Sequence, residues 1–131
     1  MRYLLDTNAL LRLAYLPEKL SSTAVRIFDS REVDFHYSIV SLWEIGLKLG
    51  GKGYRDMTVP LDWSESLPLS LQKYQIEQVA IESKHCAMIQ NFPFYHRDPF
   101  DRMLIAQALD GDFTVIGTDC IFETYGVKQV W

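Results

Sequence analysis

Short apolar runs alternate with longer amphipathic stretches along the chain. Tyr3-Leu4-Leu5 predicts a buried strand that ends at Asp6-Thr7-Asn8. Ala9–Ala14 reads as helix, closed off before Pro17. Ser21-Ser22-Thr23 offers helix caps, and Ala24, Ile27 and Phe28 then share one helical face. Asp34-Phe35-His36-Tyr37 predicts a second strand. Ser38 or Ser41 can cap a helix carrying Leu42, Ile45 and Leu49, which Gly50-Gly51-Lys52-Gly53 stops. A short helix over Asp62–Leu67, a third strand over Gln78–Ile81 and a helix over Ser83–Gln90 follow. Asn91-Phe92-Pro93 breaks the chain, and Asp98-Pro99 opens a long helix through Leu109 that Gly111 ends. Phe113–Ile116 is the strongest strand signal, followed by a short helix over Asp119–Tyr125 and a last strand over Val127–Val130.

Strands that alternate with helices predict an α/β fold, a mostly parallel β-sheet flanked by α-helices. No repeat, low-complexity tract or linker interrupts it, so residues 1–131 are expected to form a single domain. Composition agrees. Hydrophobic residues make up 48% and charged residues 23%, which excludes a disordered chain. No apolar run approaches the roughly 18 residues of a membrane span, and Asp6 interrupts the N-terminus before a signal-peptide core can develop. No membrane association and a cytoplasmic location are therefore expected. Cys86 and Cys120 lack metal-ligand spacing and are expected to be reduced, partly buried thiols. His85 beside Cys86 does not make a metal pair, because adjacent helical residues point in different directions.

The acids change the picture. Ligands of open α/β sheets bind beyond the C-terminal ends of the strands. Asp6 and Asp119 follow two strand candidates at that edge, and Glu44 and Asp101 lie in helices whose starts face it. Carboxylates gathered there repel unless protons or cations intervene, and oxygen-only ligands select Mg²⁺ or Mn²⁺. Each acid also has a plainer explanation: Asp6 and Asp119 as helix caps, Glu44 as the i,i+4 partner of Lys48, and Asp101 as N3 of a capping box begun by Asp98. Only the set is informative. The net charge of −4 is unusual for a nucleic-acid binder, but a cation among these four acids inverts the local field and leaves the rest of the chain formally neutral.

Leu4-Leu5-Asp6-Thr7-Asn8, Ser41-Leu42-Trp43-Glu44-Ile45, His96-Arg97-Asp98-Pro99-Phe100-Asp101-Arg102-Met103-Leu104-Ile105-Ala106-Gln107-Ala108 and Gly117-Thr118-Asp119 resemble, in order, the PIN-domain family, and most closely its bacterial VapC-type toxin branch. The resemblance spans essentially the whole chain and departs from the family only in the Gly-rich segment Gly50–Val59. It implies a PIN-like parallel sheet and metal-dependent cleavage of RNA phosphodiester bonds. Asp6, Glu44, Asp101 and Asp119 are then the catalytic, metal-binding set, with Mg²⁺ or Mn²⁺ as cofactor. It also implies a cognate antitoxin protein as partner and a homodimer.

Other residues could serve such a site. Asn8 and Thr118 are candidates for touching substrate phosphate, or are simply turn residues. Arg102 opposes the helix macrodipole, so it is expected to pair with the acid cluster, with substrate phosphate, or with Asp98. Lys48, Lys52 and Arg55 border the glycine-rich loop and either hold RNA backbone or are solvated. Leu10, Leu11, Leu13, Leu16 and Trp43 are expected mainly in the core. Aspartyl-phosphate chemistry is disfavoured, because position 8 is Asn and no Lys lies between Lys84 and Lys128. A catalytically inactive PIN module that binds RNA or protein is the alternative, and a DNA-cleaving relative stays open.

Overall fold

The computed structural model describes residues 1–131. Five strands form one all-parallel sheet in the order β3-β2-β1-β4-β5. In chain order, β1 (Arg2–Leu5) leads into α1 (Thr7–Tyr15), a 3-10 turn (Pro17–Lys19) and α2 (Ser22–Phe28). Then come β2 (Asp34–Ser38), α3 (Ile39–Leu49), α4 (Trp63–Lys73) and β3 (Ile76–Val79). Helices α5 (Ser83–Gln90) and α6 (Pro99–Gly111) precede β4 (Thr114–Ile116), α7 (Ile121–Thr124) and β5 (Gln129–Val130). No helix is long and apolar enough to cross a membrane.

Side chains of alternate residues enter opposite layers, as a strand's period of two requires. Tyr3 and Leu5 of β1 and Ile116 of β4 join Ala9, Leu10, Leu11, Ala24, Leu67 and Leu71 on one face. Leu4 and Val115 join Leu104, Ile105, Ala108, Phe113 and Phe122 on the other. Leu4 and Leu5 are both fully buried, which explains the unbroken apolar run at the start of the chain: both faces of a central parallel strand are covered. Helix α3 contributes to both layers, Ile45 to the first and Val40 to the second. It therefore stands across the end of the sheet rather than along one face.

Capping follows the sequence closely. Ser21 caps α2 through the Ala24 N–H (3.0 Å), and Ser38 caps α3 through the Val40 N–H (3.1 Å). Ser41 is buried instead, with its hydroxyl 2.9 Å from that of Thr7. Three expectations need correction. The helix expected to end at Leu67 runs on through Pro68 to Lys73. Leu67 and Leu71, one turn apart, are both buried in the core, and that packing outweighs the backbone hydrogen bond Pro68 cannot make. The third strand begins two residues earlier than expected because Gln75, at φ 60°, turns the chain so that Ile76 is buried. Both cysteines are exposed rather than partly buried.

Chain order reverses between β1 and β4, since β2 and β3 lie to one side of β1 and β4 and β5 to the other. The crevice beyond the carboxyl ends of β1 and β4 is the switch point where open α/β sheets bind ligands.

Candidate active site

Asp6 follows β1 directly at this switch point. Its N–H continues the ladder to the Ile116 carbonyl (3.0 Å), and its Oδ1 caps α1 by accepting from the Ala9 N–H (2.7 Å). Asp6 is thus both the cap and a member of the acid set. Only 6% of it is exposed. Burial pushes its carboxyl from 3.8 up to about 7, the Ala9 hydrogen bond opposing and the charges of Asp101 and Glu44 adding to the rise.

Glu44 projects from α3 and is half-buried. Burial raises its pKa, and the charges of Asp98 and Asp101 raise it further, against the Thr7 hydroxyl and Lys48. Its Oε1 is buried with no hydrogen-bond partner. The expected surface pair with Lys48 does not form. Lys48 Nζ instead lies 5.4 Å from the centroid of the Tyr54 ring. The Tyr54 hydroxyl is buried without a partner as well, and burial together with the Glu44 charge pushes it up to about 12.

Asp101 lies in the first turn of α6. Burial raises its pKa, a hydrogen bond to His96 opposes, and Asp98 and Asp119 add to the rise. Its Oδ2 is 2.7 Å from His96 Nε2, so it does not reach back as the capping-box reading expected. Asp98 is the cap, accepting from the Phe100 N–H at 2.9 Å, with Pro99 at the first helical position. Donor atoms of His96, Asp98 and Asp101 lie within 4.8 Å of one another. Asp119 is exposed after β4, and its Oδ1 accepts from the Ile121 N–H at 3.1 Å. Asn8 and Thr118 are exposed at the same edge.

The charges of Asp101 and Glu44 act on Asp6, that of Asp101 on Glu44, and that of Asp119 on Asp101, so the four acids share one neighbourhood. Partly buried carboxylates with raised pKa values and an orphaned oxygen fit a cation site. The donors are mainly oxygen, which suits a hard divalent ion.

A match to the PIN domain family model spans residues 3–127. The chain belongs to the PIN domain family. Comparison with curated proteins finds no match. Among solved structures, the chain is similar to VapBC2 from Rickettsia felis bound to a DNA fragment from their promoter. The TM-score is 0.71 at 13% identity, over 99% of this chain and 98% of that one. It is similar to VapBC-1 from nontypeable Haemophilus influenzae (TM-score 0.66, 15% identity, 99% and 97% covered). FitAcB from Neisseria gonorrhoeae gives 0.62 at 19% identity, with 98% and 96% covered. At these identities the likeness is one of fold.

In this PIN domain Arg102 reaches neither the acid cluster nor Asp98. It is 5% exposed. Its Nη1 donates to the carbonyls of Pro93 and His96 and to the Tyr125 hydroxyl (3.0, 3.1 and 3.1 Å), and its Nη2 to the carbonyls of Ile89 and Phe92 (3.3 and 3.4 Å). The guanidinium fastens the 91–98 segment to α6 and holds His96 against Asp101. Tyr125 assists, since its hydroxyl also accepts from the His96 N–H (3.1 Å) and donates to the Pro93 carbonyl (2.6 Å).

His96, Gly117, Tyr54 and Trp43 are the residues that sequence reasoning missed or misplaced. His96 lies in a loop, outside any periodic pattern. Gly117 is required by close approach: a Cβ there would lie 2.5 Å from Asp6 Cγ and overlap the carboxylate. Its position between a strand and an acid was the available signal. Trp43, expected in the core, is 59% exposed and packs edge-on against Phe100 with ring centroids 5.1 Å apart.

Proposed function

We propose that the chain is a divalent-metal-dependent ribonuclease, the toxin of a toxin–antitoxin pair. The observation that carries the reading is the convergence of Asp6, Glu44 and Asp101 at the sheet's switch point, each with its pKa raised by burial and by its neighbours' charges. Asp6, Glu44, Asp101 and Asp119 would hold Mg²⁺ or Mn²⁺, and Glu44 Oε1 is the oxygen that lacks any other partner. Such an ion supplies charge neutralisation at the phosphate and a more acidic water. The protein's own part is orientation. Ala9 fixes one oxygen of Asp6, His96 fixes one of Asp101, and Gly117 leaves room for the Asp6 carboxylate. In this reading Asn8 and Thr118, both exposed at that edge, would meet phosphate oxygens. The antitoxin partner is supported by the VapBC and FitAcB likenesses, and a homodimer remains part of the proposal.

The test is direct. Purified protein should cut structured RNA in Mg²⁺ or Mn²⁺, and EDTA should stop it. Asp101→Asn should lose roughly a hundredfold or more in rate while keeping the fold, the scale of losing one preorganised electrostatic contact to the transition state. Undiminished cutting in EDTA overturns the metal mechanism. No cutting of any RNA by the wild type turns the reading to a binding module.

A further inference from the structure

An apolar cavity of about 270 Å³ opens between α3, α5 and the start of α6 and takes no part in the chemistry described. Its walls include Trp43 from α3, Phe94 and Arg97 from the segment before α6, Pro99 and Met103 from α6, and Ile89 from α5. Trp43 and Phe94 are 59% and 82% exposed and line the same cavity, and it is exposed apolar residues gathered in one patch, not scattered singly, that mark an interaction site. Phe94 is held by the buried guanidinium of Arg102, 4.5 Å from its ring centroid, and Trp43 by Phe100. Both rings are therefore supported from behind while open to solvent.

We propose that this cavity is a subsite for one unpaired nucleobase of the RNA substrate, next to the scissile phosphate. The inference rests on the ribonuclease reading above. Three observations choose this occupant. The cavity lies where α3 meets the start of α6, with Trp43 packed on Phe100, and the same meeting of helices sets Glu44 within the field of Asp98 and Asp101. A phosphate at the acids would thus bring its own flanking base here. The volume lies just below the roughly 300–1,000 Å³ of pockets for drug-sized ligands, which suits one ring system rather than an inserted helix. The lining pairs aromatic faces with a cation, Arg97, which is exposed. Single-stranded RNA is recognised by bases splayed onto aromatic rings and guanidinium planes, with the backbone held by positive charge. The subsite would favour cleavage in loops, where a base is free to leave its stack.

Two measurements test this. The first is cleavage of a hairpin RNA and of the same RNA with single abasic positions around the cut. Removing one particular flanking base should raise KM roughly ten- to a hundredfold for the wild type, the range expected from stacking on an aromatic. Trp43→Ala or Phe94→Ala should show the same rise on intact RNA and no further rise on the abasic RNA. Trp43→Phe should recover most of the loss. The second measurement needs no activity: Asp101→Asn protein in EDTA should quench a single-stranded RNA carrying 2-aminopurine at that position, and Trp43→Ala should abolish the quenching. Multiplying losses in the first experiment, or quenching undisturbed by Trp43→Ala, overturns the subsite. So does conversion of a dimer to a monomer by Trp43→Ala with RNA binding unchanged, which would make the cavity a subunit contact. Absence of wild-type cleavage overturns the ribonuclease reading alone, because the quenching experiment still decides whether a base binds here.

Discussion

The Asp6 carboxylate is gripped from two sides, by the Ala9 N–H at 2.7 Å and by the bare backbone of Gly117. The first grip leaves a trace in sequence, since an acid after a strand and before an apolar helix reads as a cap. The second leaves almost none, because what matters at position 117 is the missing Cβ. Gly117→Ala is expected to force the carboxylate from its place. It should lose about 1–3 kcal/mol of stability, the usual cost of overpacking a filled site, and most of the cleavage. Thermal midpoints and cleavage rates, compared with Gly126→Ala, check it. Gly126 is also a glycine after a structured element, but nothing lies within 4 Å of a Cβ added there, and its cost would come from its φ of 84° alone. If Gly117→Ala leaves both midpoint and rate untouched, the close approach is not structural. The same limit applied to Arg102. Its charge against the helix dipole announced a partner, and the carbonyls that became its partners belong to a loop whose path no residue pattern reveals.

Elements were legible where cap and periodicity agree, and least so where burial overrides them. The start of α6 is the clear case: Asp98, Pro99 and Asp101 take the cap, first-turn and pocket positions that helix geometry demands. Helix α4 is the opposite case, because Pro68 argues for a stop and only the buried pair Leu67 and Leu71 explains its continuation. The acid quartet could be read from strand ends and helix starts, but not its support. His96 sits five residues before Asp101 on irregular backbone, and only the folded chain brings Nε2 to 2.7 Å. The structure also shows the Asp98 charge acting on both Glu44 and Asp101, which sharpens a test at this helix start. Asn caps about as well as Asp, so Asp98→Asn should keep the midpoint and most of the cleavage. Asp98→Ala should lose about 1 kcal/mol of stability. Asp101→Asn should keep the fold and lose the cleavage. Midpoint and rate for the three variants decide. Loss of activity in Asp98→Asn as complete as in Asp101→Asn, at unchanged midpoint, would place Asp98 among the metal ligands.

Across the whole molecule, the acid pocket is a charge that folding concentrates at a cost. Asp6 has its carboxyl raised from 3.8 to about 7 in the folded protein, and Glu44 and Asp101 are shifted in the same direction. A raised carboxyl means that the folded state holds more protons than the unfolded one between those two values. The stability it contributes is fully present below about pH 4 and is lost as pH rises towards 7. For Asp6 the loss is on the order of 4 kcal/mol. A divalent cation works against this loss, because it binds the deprotonated carboxylates and only in the folded state. At a hundred times its dissociation constant, it restores about 2.7 kcal/mol. Protons and metal compete for the same oxygens, so the metal's effect must grow with pH. In EDTA the thermal midpoint is therefore expected to fall between about pH 5 and pH 7.5, most steeply below about pH 6 and levelling off above 7. Saturating Mn²⁺ should raise the midpoint more at pH 7.5 than at pH 5, and Asp6→Asn should flatten the slope in EDTA while weakening the Mn²⁺ response. Scanning calorimetry at the two pH values, with and without Mn²⁺, supplies all the quantities. A Mn²⁺ shift equal at both pH values would mean that the ion binds away from these carboxylates. A midpoint that rises through this window in EDTA, for wild type and Asp6→Asn alike, would mean that other groups dominate the proton balance of folding and that the pocket stores no such charge.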